Sequence, residues 1–192
     1  MGTPAKVLAP GEVRRLQARA GRGRHALRNK SMVLLSFNAG LRACEIAGLD
    51  WTMVLAPGGR VGPWLMIADG IAKNGRGRRV PLHRDLAAIL VQLHREQARP
   101  RAGPVIRSQQ GGNMTPRSVV NWFKLRYLEL GLGGCSSHSG RRTFITRTAR
   151  LVAKAGGCLR DVQELAGHRA ITTTERYIEG DRDAQRKLVQ ML

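Results

Sequence analysis

Acidic residues are scarce in this chain of 192: 13 Asp and Glu stand against 33 Lys and Arg, a net charge of +20. Lysine is scarce as well, with 6 against 27 arginines. Cysteine occurs three times, at Cys44, Cys135 and Cys158, far apart and odd in number. That excludes a disulfide framework and offers no zinc-like spacing; the thiols read as small, partly buried groups of a reducing cytoplasm. Long apolar runs are missing. The longest clean one, Met32 to Leu35, is far too short to span a bilayer. The first ten residues, MGTPAKVLAP, lack the apolar stretch of a secretory signal, and the position four after Gly2 is not Ser or Thr, as myristoylation needs. No repeat and no Pro/Ser-rich linker divides the chain, and its 23 glycines contain no Walker pattern, so nucleotide hydrolysis is unsupported.

What is present is a core and a surplus of guanidinium. Hydrophobic residues make up 42%, enough for a folded domain. The arginine fork suits phosphate, which points to nucleic acid as partner. A ribosomal or membrane-surface protein is the competing reading of charge alone. The balanced core and the lack of a long basic amphipathic helix speak against it.

The hydrophobic pattern predicts a mainly helical domain with a small antiparallel sheet (α+β). Helices are expected over 11–20 and 25–39, the second with Leu27, Val33, Leu34, Phe37 and Leu41 on one face and Gly40 as its stop. A helical turn over 42–47 makes Arg42 and Glu45 neighbours. Trp51–Leu55, Trp64–Ala68 and Arg78–Leu82 read as two or three strands, punctuated by Gly-rich turns. Helix is expected again over 84–98, then after the Thr115 N-cap and Pro116 with Val120, Phe123, Tyr127 and Leu130 as its stripe. Helical patterns continue over 139–154 and 159–166, and residues 171–178 begin a tail. A last segment, 183–192, carries Ala184, Leu188 and Met191 on one stripe.

Only two tyrosines exist, and they differ. Tyr127 sits on an apolar stripe and reads as core. Tyr177 ends the polar run Thr172-Thr173-Thr174-Glu175-Arg176. Alone it is an ordinary half-buried tyrosine. His168, after Gly167, is alone a helix-end cap, and a lysine at a hairpin tip such as Lys73 is alone a solvated charge. His25, His83 and His94 have no partner spacing and read as surface or helix-end residues. Jointly, however, His138-Ser139-Gly140-Arg141-Arg142, Gly167-His168, and Tyr177 nine residues later assemble one phenol, two imidazoles and arginine forks. Upstream stand Gly40-Leu41-Arg42 with Glu45, and Lys73 eight residues before Pro81.

These stretches resemble the catalytic domain of the tyrosine recombinases, the phage-integrase and Xer-like family, from about Leu8 to the C-terminus. The resemblance implies roles. Tyr177 is the nucleophile that forms a 3′-phosphotyrosyl link; a free phenol is protonated at neutral pH, so it needs an activating surround. Arg42 and Arg141 clamp the non-bridging oxygens, where the transition state gathers negative charge. Lys73 protonates the leaving 5′-oxygen, and His138 and His168 hydrogen-bond the phosphate and assist proton transfer. Glu45 holds a basic neighbour in place without reacting. Arg76, Arg78, Arg79 and Arg142 are expected against DNA. Neither metal, cofactor nor ATP is implied.

The implied protein is a site-specific recombinase or integrase of double-stranded DNA. It is cytoplasmic and nucleoid-associated, not membrane-bound, and a tetramer on two duplexes, monomeric or weakly dimeric without DNA. The chain reads as one catalytic domain: leader 1–9, core 10–180, and a C-terminal helix 181–192 able to exchange between protomers. The N-terminal core-binding domain of relatives is expected to be absent from this chain, leaving salt-sensitive DNA binding with weak sequence preference. Two other readings stay open: a type IB topoisomerase relaxing supercoils, and a non-catalytic DNA-binding accessory protein.

Overall fold

Helix α2 (Ala26–Asn38) is the axis of the fold in this computed structural model, which describes residues 4–72, 75–177, 186 and 189–190. The expectation of a one-sided α2 is corrected: every residue from Ser31 to Phe37 is buried. The reason is position. α1 (Pro10–Ala20), α4 (Arg84–Glu96) and α6 (Ser139–Leu151) pack on α2 from different sides. Between α2 and α4 lie the short α3 (Ala43–Ala47) and an antiparallel pair, β1 (Trp64–Ile67) and β2 (Arg78–Pro81). α5 (Pro116–Glu129), α7 (Leu159–Ala166) and α8 (Ile171–Glu175) complete the described order. The fold is mainly helical with one two-stranded sheet, as expected.

Three local expectations change. Trp51–Leu55 is not a strand: Trp51–Met53 forms a 3₁₀ turn, because Asp50 Oδ1 accepts the Thr52 N–H at 2.9 Å while Oδ2 accepts that of Gly103 at 2.8 Å. The indole it buries donates to Gln97. The stripe of α5 is Val119, Phe123 and Tyr127, with Val120 turned outward. α6 stops at Leu151, and a 3₁₀ turn over Ala153–Ala155 closes on the left-handed Gly156. His94, read as a surface or helix-end residue, does lie in the last turn of α4 but is buried against Trp51, ring centroids 4.6 Å apart, with Nε2 3.0 Å from the Pro100 carbonyl. His25 and His83 do sit at helix starts.

The main core runs from Leu8 to Leu132. A smaller cluster of Ile145, Val162 and Ala166, with Phe144, Leu159 and Tyr177 packed against it, holds the C-terminal helices. The two are joined where α6 crosses α2. Gly140 makes that crossing close: a Cβ there would fall 2.1 Å from Ser36 Oγ. Cys44 and Cys135 are half-buried and Cys158 is exposed, all three as free thiols. Among the described residues no helix is long and apolar enough to cross a membrane. Ala184, Leu188 and Met191 lie outside the described residues, as does Lys73.

Candidate active site

Glu45 organises the site from below. Arg42 is the N-cap of α3 in extended conformation, so the carboxylate one turn later folds back onto it. Glu45 Oε2 accepts the Arg42 backbone N–H at 2.8 Å, and Oε1 accepts Arg42 Nη1 at 3.0 Å. Arg78, the first residue of β2, then closes a second fork on the same carboxylate: Nη1 to Oε1 at 2.8 Å and Nη2 to Oε2 at 2.9 Å. Its Nε donates to the Leu165 carbonyl at 3.0 Å. Glu45 is fully buried and the Arg78 side chain is 5% exposed. Burial alone would push the carboxyl up; the hydrogen bonds from Arg78, its charge and Arg42 outweigh that, and the group is held below its ordinary value. Glu45 is therefore an ionised anchor for two arginines.

Arg78 thus departs from its expected place against DNA. Its fork is turned inward, where its two N–H donors fill the acceptor sites of the buried carboxylate that Arg42 leaves open. Arg76 and Arg79 are exposed, and the Arg79 guanidinium lies 4.8 Å from the Trp64 ring centroid.

Arg141 reaches the same region from α6. It is 4% exposed, and its two terminal nitrogens donate to backbone carbonyls, Nη1 to Gly40 at 2.7 Å and Nη2 to Ala166. Burial, then the neighbouring charges of Arg42 and Arg78, lower its proton affinity, while Glu45 and Tyr177 oppose that. The fork donates to fixed carbonyls, so its orientation is set by the backbone before any ligand arrives.

His168 follows the left-handed cap Gly167 of α7, φ 63°, where a Cβ would press on the Arg78 side chain at 2.9 Å. The imidazole is buried, with Nδ1 2.9 Å from Thr174 Oγ1. Burial first, and then Arg141, Arg42 and Arg78, push it down to about 4. At neutral pH the ring is uncharged, so the positive charge around it comes from guanidinium. Tyr177 stacks on that ring, centroids 5.6 Å apart and planes 23° off parallel. The Arg142 guanidinium lies 5.6 Å from the Tyr177 ring centroid, and Thr146 Oγ1 donates to the Tyr177 carbonyl at 3.3 Å.

One cavity of roughly 430 Å³ gathers these groups: Arg42, His138, Arg141, Arg142, His168 and Tyr177 line it. His138 stands exposed at the start of α6, its N–H on Ser136 Oγ at 3.2 Å. Of the six residues expected to be catalytic, five line this cavity; the sixth, Lys73, lies outside the described residues. A neighbouring groove of roughly 470 Å³ adds Arg76, Arg79 and Arg160, and Arg169 lines both. Sequence reasoning did not single out Arg169, Thr174 or the inward role of Arg78. Thr174 lies one helical turn before Tyr177, a spacing that could have flagged it. Arg78 has no local signal, since its partner is 33 residues away.

Known proteins share sequence and fold with this chain. The tyrosine recombinase XerC of Actinobacillus succinogenes is 30% identical over 158 residues, 81% of this chain and 50% of that protein. The chain spans about half the length of the curated relatives it matches. The crystal structure of XerA recombinase superposes with a TM-score of 0.76 at 17% identity, covering 100% of this chain and 66% of that one, a likeness of fold. The integrase of mycobacterium phage Brujita gives 0.59 at 28% identity, covering 96% of this chain and 57% of that one. Residues 6–183 match the phage integrase family, a span that takes in Arg42, His138, Arg141, His168 and Tyr177, and the chain belongs to that family of tyrosine recombinases.

Proposed function

We propose that this chain breaks and rejoins DNA strands as the catalytic domain of a site-specific recombinase, acting in the nucleoid of the cytoplasm, as a tetramer on two duplexes. The carrying observation is the single cavity in which a tyrosine, two histidines and four arginines converge.

The Tyr177 oxygen attacks the scissile phosphorus as its phenol proton passes to His138 in the same cavity, and the bond to the 5′-oxygen breaks as the 3′-phosphotyrosyl ester forms. Lys73 gives the leaving oxygen its proton. Arg42 and Arg141 face the non-bridging oxygens and supply the positive charge that the transition state requires. A neutral His168 carries one ring proton. A Thr174 hydroxyl donating to Nδ1 leaves that proton on Nε2, for a phosphate oxygen. His138 adds a second imidazole at the cavity mouth. Glu45 and Arg78 act through Arg42, as positioning residues. The exchange of one phosphoester for another conserves bond energy, so a 5′-hydroxyl of a partner strand can reverse the step without ATP.

The test is a pool of nicked suicide duplexes of random sequence, incubated with wild type and Tyr177→Phe. A covalent protein–DNA adduct in wild type alone is expected. Adducts in neither protein, or in both, would overturn the proposal.

A further inference from the structure

Outside the cleavage cavity, four arginines converge on a second one that shares no lining residue with it. Arg60, Arg95, Arg99 and Arg101 border a cavity of roughly 520 Å³ beside the buried His94. They come from three places: a tight turn after α3, the last turn of α4, and the segment that follows it. All four side chains are exposed, and none is in an ion pair among the described residues. The cavity lies at the end of α4 remote from β2, about 16 Å along the helix from Arg84 at 1.5 Å per residue.

The local backbone is shaped to this gathering. Ala98 and Arg99 both take positive φ, 63° and 54°, a left-handed conformation that disfavours residues other than glycine. The turn is held by the Arg99 N–H on the His94 carbonyl at 2.8 Å and by His94 Nε2, 3.0 Å from the Pro100 carbonyl. On the other wall Gly59, at φ 72°, leaves room for Arg101: a Cβ would lie 1.9 Å from its Nη1. One arginine near a helix C-terminus answers the helix dipole. Four converging from three segments repel one another, and the dipole does not account for Arg60 or Arg101.

We infer that this arginine cavity is a second phosphate-binding surface, one that holds the backbone of duplex DNA away from the cleavage site. A strand presents phosphates at regular steps and meets several forks at once, whereas a lone carboxylate meets one. This rests on the proposed action on DNA, but its signature is separable from cleavage.

The experiment measures anisotropy of a labelled duplex over a salt series for wild type, the triple variant Arg60→Gln/Arg95→Gln/Arg101→Gln, and the matching triple Lys variant. Each lost phosphate contact removes about 0.9 from the slope of log K against log salt, so the Gln variant should flatten it by about 2 to 3. The Lys variant should keep the wild-type slope. Cleavage of saturating nicked duplex should be unchanged in the Gln variant, which also reports that it is folded. An unchanged slope in the Gln variant overturns the inference. So does a variant that keeps DNA binding while losing affinity for polyglutamate, which would assign the cavity to acidic polypeptide. Wild type that binds with the expected slope difference yet forms no adduct leaves this surface standing and removes the cleavage proposal instead.

Discussion

Glu45 and Arg78 form a buried, two-pronged ion pair that ties α3 to β2, and Arg42 shares its carboxylate. Removing the negative member strands two cations beside a third, Arg141. Glu45→Gln should lose about 3–5 kcal/mol of stability, the usual cost of breaking a buried pair. Urea unfolding checks this. The double variant Glu45→Leu/Arg78→Met should lose less than the sum of the two single changes, and additive losses would deny the coupling.

His168 Nδ1 lies 2.9 Å from Thr174 Oγ1, and in the proposed mechanism that hydroxyl donates and leaves the ring proton on Nε2. Thr174→Val keeps the shape and removes the hydroxyl. Adduct formation at saturating DNA should slow about tenfold or more, within the range of a lost general acid–base contribution, with DNA affinity unchanged. Thr174→Ser should restore the rate. Loss of affinity with the rate intact would contradict the role.

Stability should fall in acid in two overlapping windows. The folded state holds His168 down to about 4 against an ordinary 6.5. Between those values the unfolded chain takes up a proton that the folded one refuses, so stability declines as pH drops from 6.5 to 4, by at most about 1.4 kcal/mol per pH unit. Glu45 is held below its ordinary 4.5, so its contribution is complete above that value and is lost as pH falls through its folded value. Thermal melts across pH 3–8 check the sum, and NMR titration of His168 checks the first window.

The two tyrosines should separate cleanly. Among the described residues the buried Tyr127 hydroxyl has no hydrogen-bond partner, so Tyr127→Phe removes an unsatisfied group and should leave stability equal or raise it by about 1 kcal/mol. Adduct formation should persist. A clear loss of melting temperature in Tyr127→Phe would reveal a partner for that hydroxyl.

Gly140 should tolerate no side chain. Gly140→Ala would drive a methyl into Ser36 and push α6, with Arg141, off α2, at a cost of about 1–3 kcal/mol. Ser36→Gly in the same chain should recover part of it.

Much of this was legible in sequence because it is local. Arg42 and Glu45 are one helical turn apart, and spacing alone makes them neighbours. The caps at Thr115 and Gly167 and the two-strand hairpin follow from turn and cap chemistry within a few residues. Errors arose where burial comes from elsewhere in the chain. α2 shows no clean stripe because three helices cover it, and Val119 rather than Val120 faces inward because α3 and α1 pack on α5 from that side.

By itself the sequence determined the kind of protein: the order and local spacing of His138, Arg141, His168 and Tyr177, with Arg42 and Glu45 upstream, are covalent facts that no packing alters. Tertiary structure alone decided which cations act on which groups. It turned Arg78 inward onto Glu45, seated Thr174 on His168, and brought Arg60 and Arg101 to the end of α4. The reason is electrostatic. A buried carboxylate or a converging set of guanidiniums is defined by distance in space and by lost water, and neither is written in spacing along the chain.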